Sequence, residues 1–258
     1  MALNASGPIS LAGSTTGQSI AVELGLGATT QISLNQAAVR TLAGIATGAI
    51  IMPTNFWGKS NAANRKAIFG YGYNVGVNST TNLVSDLGIV DASVTGVGTA
   101  RMYLAAAGYG ADKAIFGFGS TTGAAAGSVG MTNLVSNTGV VALDTTAVGQ
   151  LRMFLAAAGY GGDKAIFGFG SSGPSYYGMT NLVSNTGVVA LDTTAVGITR
   201  ASLAAASYST DKAIFGYGTR STGNSLITNL VSNTGVVAAD VTSAAVARYA
   251  LAAAAWGT

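Results

Sequence analysis

The chain has 258 residues, 49% of them apolar and only 8% charged, with a net charge of +3 and its basic residues scattered rather than clustered. That charge content is far below the usual ~25%, and its scatter leaves no electrostatic footprint for nucleic acid, so no such partner is expected. The absence of both cysteine and histidine removes disulfides, thiolate nucleophiles, Ser-His-Asp triads and the commonest zinc ligand, so neither a metal nor another cofactor is expected.

A chain of this length can bury a sizeable core in one large domain, or in a large one plus a small one. A surface so poor in charge is expected to be largely covered by neighbours, which points to a homo-oligomer or a larger assembly. The opening "MALNASGPIS" lacks the basic and apolar regions of a secretory signal. No apolar run approaches the ~18 residues needed to span a bilayer, so membrane insertion is not expected.

Residues 1–60 stand outside the repeats that follow and are read as an N-terminal module. Within it, "ISLNQAAVRTLAG" (32–44) is predicted to form one helix. Ser33 is placed to cap it, Gln36 lies three residues later as in a capping box, and Gly44 closes it. Leu34, Ala38 and Leu42 would form its apolar stripe, at a spacing of four. "WGKS" (57–60) ends like a phosphate-binding loop, but Pro53 stands where such a loop needs glycine.

Residues 61–258 repeat four times. "KAIFG" begins at Lys66, Lys113, Lys164 and Lys212; "TNLVS" places Asn82, Asn133, Asn181 and Asn229; an arginine recurs at Arg101, Arg152, Arg200 and Arg248. Asparagine to arginine is 19 residues in all four copies and arginine to the next lysine is 12, so the length variation falls between lysine and asparagine. A rigid scaffold with one tolerant loop per repeat has this signature.

"KAIFG" reads as a short strand stopped by glycines, and "TNLVSNTGVVALD" as two strands joined by an Asn- and Gly-containing turn. "RMFLAAAGYGGDKAIF" is read as a hairpin turning at "GYGGD", because 12 residues leave no room for a helix, a connection and a strand. A short helix before the strand is the alternative, given the propensity of "LAAA". Four short strands per ~48 residues is the size of a kelch-type propeller blade, and "AIFGYG" resembles the glycine-terminated strand of kelch repeats, although the Gly-Gly pair and later Trp of that repeat are missing. The expected fold is therefore mainly β, a four-repeat kelch-like propeller preceded by a small module with one helix. The first "KAIFG" lacks an upstream "R…LAAAGYG" segment and the last repeat ends in one, "RYALAAAAWGT" (248–258). Pairing of these two would close a ring, or join two chains.

Eight of the 12 basic residues are the repeated Lys and Arg, and repeat aspartates such as Asp144, Asp192 and Asp240 account for most of the acidic ones. In the first repeat Ser93 stands at that aspartate position and Asp91 lies two residues early. Charges recurring once per repeat are read as structural pins to a neighbouring strand rather than as catalysts. Glu23 is the only glutamate, and nearly all the aspartates belong to the repeat, so no enzymatic activity is expected. "GFGSSG" (168–173) fits G-x-G-x-x-G, but Pro174 and Tyr176 follow it where a helix should open, so its glycines are read as turn glycines.

The variable loops, expected on one face, are the better candidates for binding. Tyr73, Asn74, Ser175, Tyr176, Tyr177, Arg220 and Asn224 could stack on and hydrogen-bond a sugar, or contact a neighbouring subunit.

Two resemblances extend this reading. "GPISLAGSTTGQSI", "ISLNQAAVRTLAG" and "GAIIMPTNFWGKS" resemble a short N-terminal module of bacteriophage tail, fibre and baseplate proteins, with Pro53 and Trp57 departing from it. The "KAIFGYG…TNLVSNTGVV" repeats resemble arrays in phage tail-associated proteins. The resemblance implies a virion structural protein, made in the bacterial host cytoplasm and attached through residues 1–60 to other tail or baseplate proteins. A bacterial surface glycan is a further expected partner, and no catalytic residue is implied.

Overall fold

The computed structural model describes residues 3, 6, 8–12, 14, 15, 18–27, 29, 31–45, 47, 49, 50, 52, 67–85 and 87–256. Lys66, "WGKS" (57–60) and the Pro53 and Trp57 positions lie outside the described residues. The chain divides into two compact units, Met1–Lys66 with Ser85–Ile89 and Ala67–Val84 with Val90–Thr258.

The first unit holds two helices among its described residues, α1 (Ile20–Glu23) and α2 (Ala37–Ala43). Ser19 caps α1, its hydroxyl accepting from the Val22 N–H at 3.3 Å. The predicted 32–44 helix is shorter than expected, although the expected capping bonds are present: the Ser33 hydroxyl accepts from the Asn35 N–H at 3.2 Å, and Gln36 Oε1 accepts from the Ser33 N–H at 3.1 Å. Those bonds form a turn, and the helix starts only at Ala37. Gly44 closes it at φ 73, as predicted. The stripe is also shifted: Val39, Leu42 and Ala43 are buried with Leu3 and Ile20, whereas Ala38 is exposed.

The second unit is mainly β. The first repeat supplies the hairpin β1 (Ala67–Asn74) and β2 (Gly76–Val84), with a bulge between Gly70 and Gly72. The second repeat forms an antiparallel sheet of β3 (Ala105–Tyr109), β4 (Lys113–Gly117) and β5 (Thr132–Val135). The third repeats this with β6 (Ala156–Tyr160), β7 (Lys164–Gly168) and β10 (Thr180–Val183), plus a small hairpin of β8 (Ser171–Ser172) and β9 (Ser175–Tyr176). The fourth uses β11 (Ala204–Tyr208), β12 (Lys212–Gly216), β15 (Ile227–Val231) and β16 (Val241–Thr242), with the hairpin β13 (Thr219–Arg220) and β14 (Gly223–Asn224). The alanine-rich tracts are therefore strands, each turning directly into its "KAIFG" partner as the 12-residue spacing requires.

One expectation is corrected, and another is met only in part. The second apolar run of each repeat does not form a full strand; it touches its neighbour through single bridges, Val135↔Val141, Val183↔Val189 and Val231↔Val237. In the second repeat the run stays beside its neighbour through scattered bonds, Ala142 N–H to the Leu134 carbonyl at 2.8 Å and Thr145 N–H to the Thr132 carbonyl at 2.9 Å, and the aspartate of each repeat also accepts from the N–H of Thr99, Gln150 or Ile198. The repeat unit is mainly β, in several small sheets, and no closed propeller is found among the described strands: there β1 pairs with β2 alone, and residues 251–256 form no strand.

Small residues dominate β3, β6 and β11 because these strands pack on one another, β6 in the middle. The Ser207 hydroxyl donates to the Gly159 carbonyl across that contact at 3.0 Å. Each "KAIFG" phenylalanine covers the glycine of the preceding repeat: Phe116 lies over Gly70, Phe167 over Gly117 and Phe215 over Gly168. A methyl group on Gly168 would stand 2.6–3.1 Å from three Phe215 ring atoms, so that glycine leaves room for the ring of its neighbour. Gly168→Ala is expected to cost about 1–3 kcal/mol by overpacking. Gly76→Ala, whose added carbon meets nothing within 4 Å, should stay within about 0.5 kcal/mol of the parent. Urea unfolding of both variants checks the pair, and equal midpoints would contradict this packing.

Candidate functional site

The site is built on the repeated arginine. Arg101, Arg152 and Arg200 are fully buried. Arg101 Nε donates to the Phe118 carbonyl at 2.8 Å, Nη1 to the Thr99 carbonyl at 3.0 Å and Nη2 to Asn133 Oδ1 at 2.6 Å. Arg152 Nη2 donates to Asn181 Oδ1 and Arg200 Nη2 to Asn229 Oδ1, but the Nε of both is buried without a hydrogen-bond partner among the described residues. Each asparagine in turn donates to the repeat aspartate at 2.9 Å: Asn133 to Asp144, Asn181 to Asp192 and Asn229 to Asp240. Arg152 also forms an ion pair with Asp192 at 3.2 Å, while Arg101 stands 3.7 Å from Asp144.

The other face of each guanidinium lies on an aromatic ring of the preceding repeat. Arg101 sits 4.3 Å from the Tyr71 ring centroid, Arg152 4.4 Å from Phe118, Arg200 3.9 Å from Phe169 and Arg248 4.2 Å from Tyr217. The arginine carbonyl accepts from the glycine after that ring: Gly72, Gly119, Gly170 and Gly218 donate to Arg101, Arg152, Arg200 and Arg248 at 2.9–3.0 Å. Burial pushes the Arg200 guanidinium down to about 10 against the pull of Asp240, which leaves it charged at neutral pH. In the first repeat Ser93 takes the aspartate position, accepting from Asn82 Nδ2 at 3.1 Å.

The lysines behave differently. Lys113, Lys164 and Lys212 pair with the aspartate immediately before them, Asp112, Asp163 and Asp211, at 2.9–3.2 Å on half-exposed turns. They are not pins to a neighbouring strand, and pairs this exposed contribute little stability. Backbone bonds join these turns instead, with the Gly110 N–H donating to the Asp163 carbonyl and Gly161 to Asp211, at 2.6 and 2.7 Å. The three lysines, with Tyr109, Tyr160, Asp163 and Asp211, line a polar cavity of about 270 Å³ that sequence reasoning did not find. Its signal was the recurring Tyr-to-Lys step of four residues, which returns one ring and one ammonium per repeat to the same turn.

The variable loops leave the opposite ends of the "KAIFG" strands, beyond the arginines. Tyr73 is 65% exposed at the tip of the β1–β2 hairpin, beside the exposed Asn74. Ser175 and Asn224 are exposed, and Tyr176 is half-buried. Tyr177 is half-buried and structural: its N–H donates to the Gly170 carbonyl at 2.9 Å, and its carbonyl accepts from the Arg200 N–H at 3.3 Å. Arg220 is half-buried, with its Nε enclosed. The second and third loops meet where the Ser172 hydroxyl approaches the Ala125 carbonyl at 3.5 Å. "GFGSSG" (168–173) runs into the β8–β9 hairpin, its Gly170 and Gly173 at φ 103 and 64, so these are turn glycines.

Among the described residues, no group of three or more carboxylates could hold a metal ion. No family model and no curated protein matches the chain.

Burial alone would raise the Asp144 carboxyl. Hydrogen bonds from Thr99 Oγ1, Asn133 and the Thr99 N–H, with the charge of Arg101, hold it below the ordinary range instead. A carboxyl depressed in the folded state contributes stability that is complete above its unfolded value of ~3.9 and is lost as the pH falls through the depressed value. The urea midpoint should therefore fall below about pH 4. Asp144→Asn should flatten part of that fall, leaving the share from Asp112, Asp163 and Asp211, which their lysines also depress. An identical acid slope in the variant would contradict this assignment.

Proposed function

We propose that this chain is a structural component of a bacteriophage virion, a tail-fibre, baseplate or adaptor protein. In this reading residues 1–60 attach it to other virion proteins, and the repeat unit is displayed as a kelch-like fan of β blades. The observation that carries it is the division of labour within the chain. A separate N-terminal unit precedes a sheet array whose repeats share one arginine-centred joint and differ in their loops. The very low charge fits a surface meant to be covered in an assembly, and the two resemblances point the same way. Antibody labelling of purified phage particles, read by electron microscopy, is expected to place the protein on the tail. Its absence from intact particles overturns the proposal.

A second reading, a glycan-binding module, is favoured by one observation. Tyr73 presents an exposed ring beside the exposed Asn74, on the loop class that varies between repeats. Here the protein binds polysaccharide from the host surface. Tyr73→Ala and Asn224→Ala should each weaken that binding about tenfold with unchanged unfolding midpoints. A parent protein that retains no host polysaccharide sinks this reading.

A further inference from the structure

The repeats join through one interface used three times, and the chain carries both unmatched halves of a fourth. At the far end, Arg248 stacks on Tyr217 and its carbonyl accepts from Gly218, as at every other joint. The Ala250 N–H donates to the Ser202 carbonyl at 2.8 Å, the step that Phe154 makes to Tyr103 and Ser202 to Phe154. Yet the Arg248 side chain is exposed where its three counterparts are fully buried, and 252–256 are exposed without a strand. Gly216 keeps an open face: a methyl there would meet only Thr228 at 3.5 Å, and no phenylalanine covers it.

The first repeat shows the reverse. Phe69 is 62% exposed, whereas Phe116, Phe167 and Phe215 are buried over their glycines. Asn82 and Ser93 form an arginine socket, but Thr54 stands where the spacing requires the arginine. The β1 edge that faces an alanine strand in every later repeat is unpaired among the described strands.

One correlated exchange ties the two halves to each other. At three joints a glycine three residues before the arginine, Gly98, Gly149 or Gly197, leaves space for the aspartate of the next repeat, whose oxygen an added carbon would strike. At Arg248 that glycine is Ala245, and the first-repeat socket has the shorter Ser93 in place of the aspartate. The larger residue on one half meets the smaller residue on the other.

We infer that the fourth repeat of one copy docks head-to-tail on the first repeat of a second copy. Arg248 enters the partner copy's Asn82–Ser93 socket, Phe69 of the partner copy covers Gly216, and 252–255 add to the partner copy's β1. The register follows from the second repeat, where Ala105 pairs with Gly117 and Ala107 with Ile115: Ala252 opposes Gly70 and Ala254 opposes Ile68. A second copy is the occupant because one and the same chain leaves both halves exposed, and because the docked repeat continues an interface the chain already repeats. Such a contact is heterologous, so it builds rings or open arrays rather than a symmetric pair. Nothing in it depends on where the protein resides.

The test uses two full-length variants at exposed positions, Arg248→Ala and Phe69→Ser, with circular dichroism confirming that each folds. The parent is expected to self-associate with concentration in analytical ultracentrifugation, and each variant alone to do so about tenfold more weakly. Mixing the two at a concentration where neither associates alone should give one-to-one heterodimers, since each retains the half the other has lost. A parent that stays monomeric at every concentration, its stability falling in both variants, means that the seam closes within one chain and overturns the inference. Variants that associate as the parent does, or a mixture without heterodimers, overturn it as well.

Discussion

A guanidinium without water is the constraint on which the repeat unit rests. Burying such a charge is costly unless partners replace its hydration. Here the replacement comes from both sides of a boundary. The amide oxygen and the carboxylate belong to the repeat that follows the arginine, whereas the ring beneath it belongs to the repeat before. No repeat can satisfy its arginine alone, so the folding of each is tied to that of its neighbour, as in other linear arrays. The hydrophobic clusters obey the same boundary, with Phe167 and Leu155 packing among residues of the preceding repeat.

The arginine also dictates backbone shape. Tyr71, Phe118, Phe169 and Tyr217 all sit at φ 62–64, a region that costs an L-residue about 1–2 kcal/mol. Glycine would relieve the strain but remove the ring that the guanidinium lies on. The strain is therefore kept where a cation needs a π face, and glycines on either side, such as Gly117 and Gly119, provide the close approach and the N–H to the arginine carbonyl. Beyond this fixed turn the loop can change length, since its first residues are already anchored.

Much of the scaffold was legible as arithmetic. The fixed steps of 12 and 19 residues marked rigid segments, and the 12-residue step alone decided strand over helix for an alanine tract with helical propensity. Periodicity could not separate arginine from lysine, because both recur once per repeat. Only burial shows that one is a joint and the other a surface pair with its own neighbour. The aromatic that always precedes the loop was a usable signal for the joint, as a ring recurring five residues after each repeated lysine. That the second apolar run keeps only single bridges was not legible: "VVALD" has strand character, and its aspartate is shared between the asparagine of its own sheet and an N–H across the joint. The late start of the helix within the 32–44 pattern is local: residues 33–36 form a turn held by the Ser33 and Gln36 side chains, a competition that is hard to read in advance.

Each repeat carries the ring for the joint ahead of it and the asparagine for the joint behind. A gene segment of one full period can therefore be copied or lost, and every junction on either side remains chemically complete. A cut at any other length strands a guanidinium or a ring. The array can lengthen or shorten over evolutionary time in whole steps, and recombination between its near-identical segments is the simplest means of doing so.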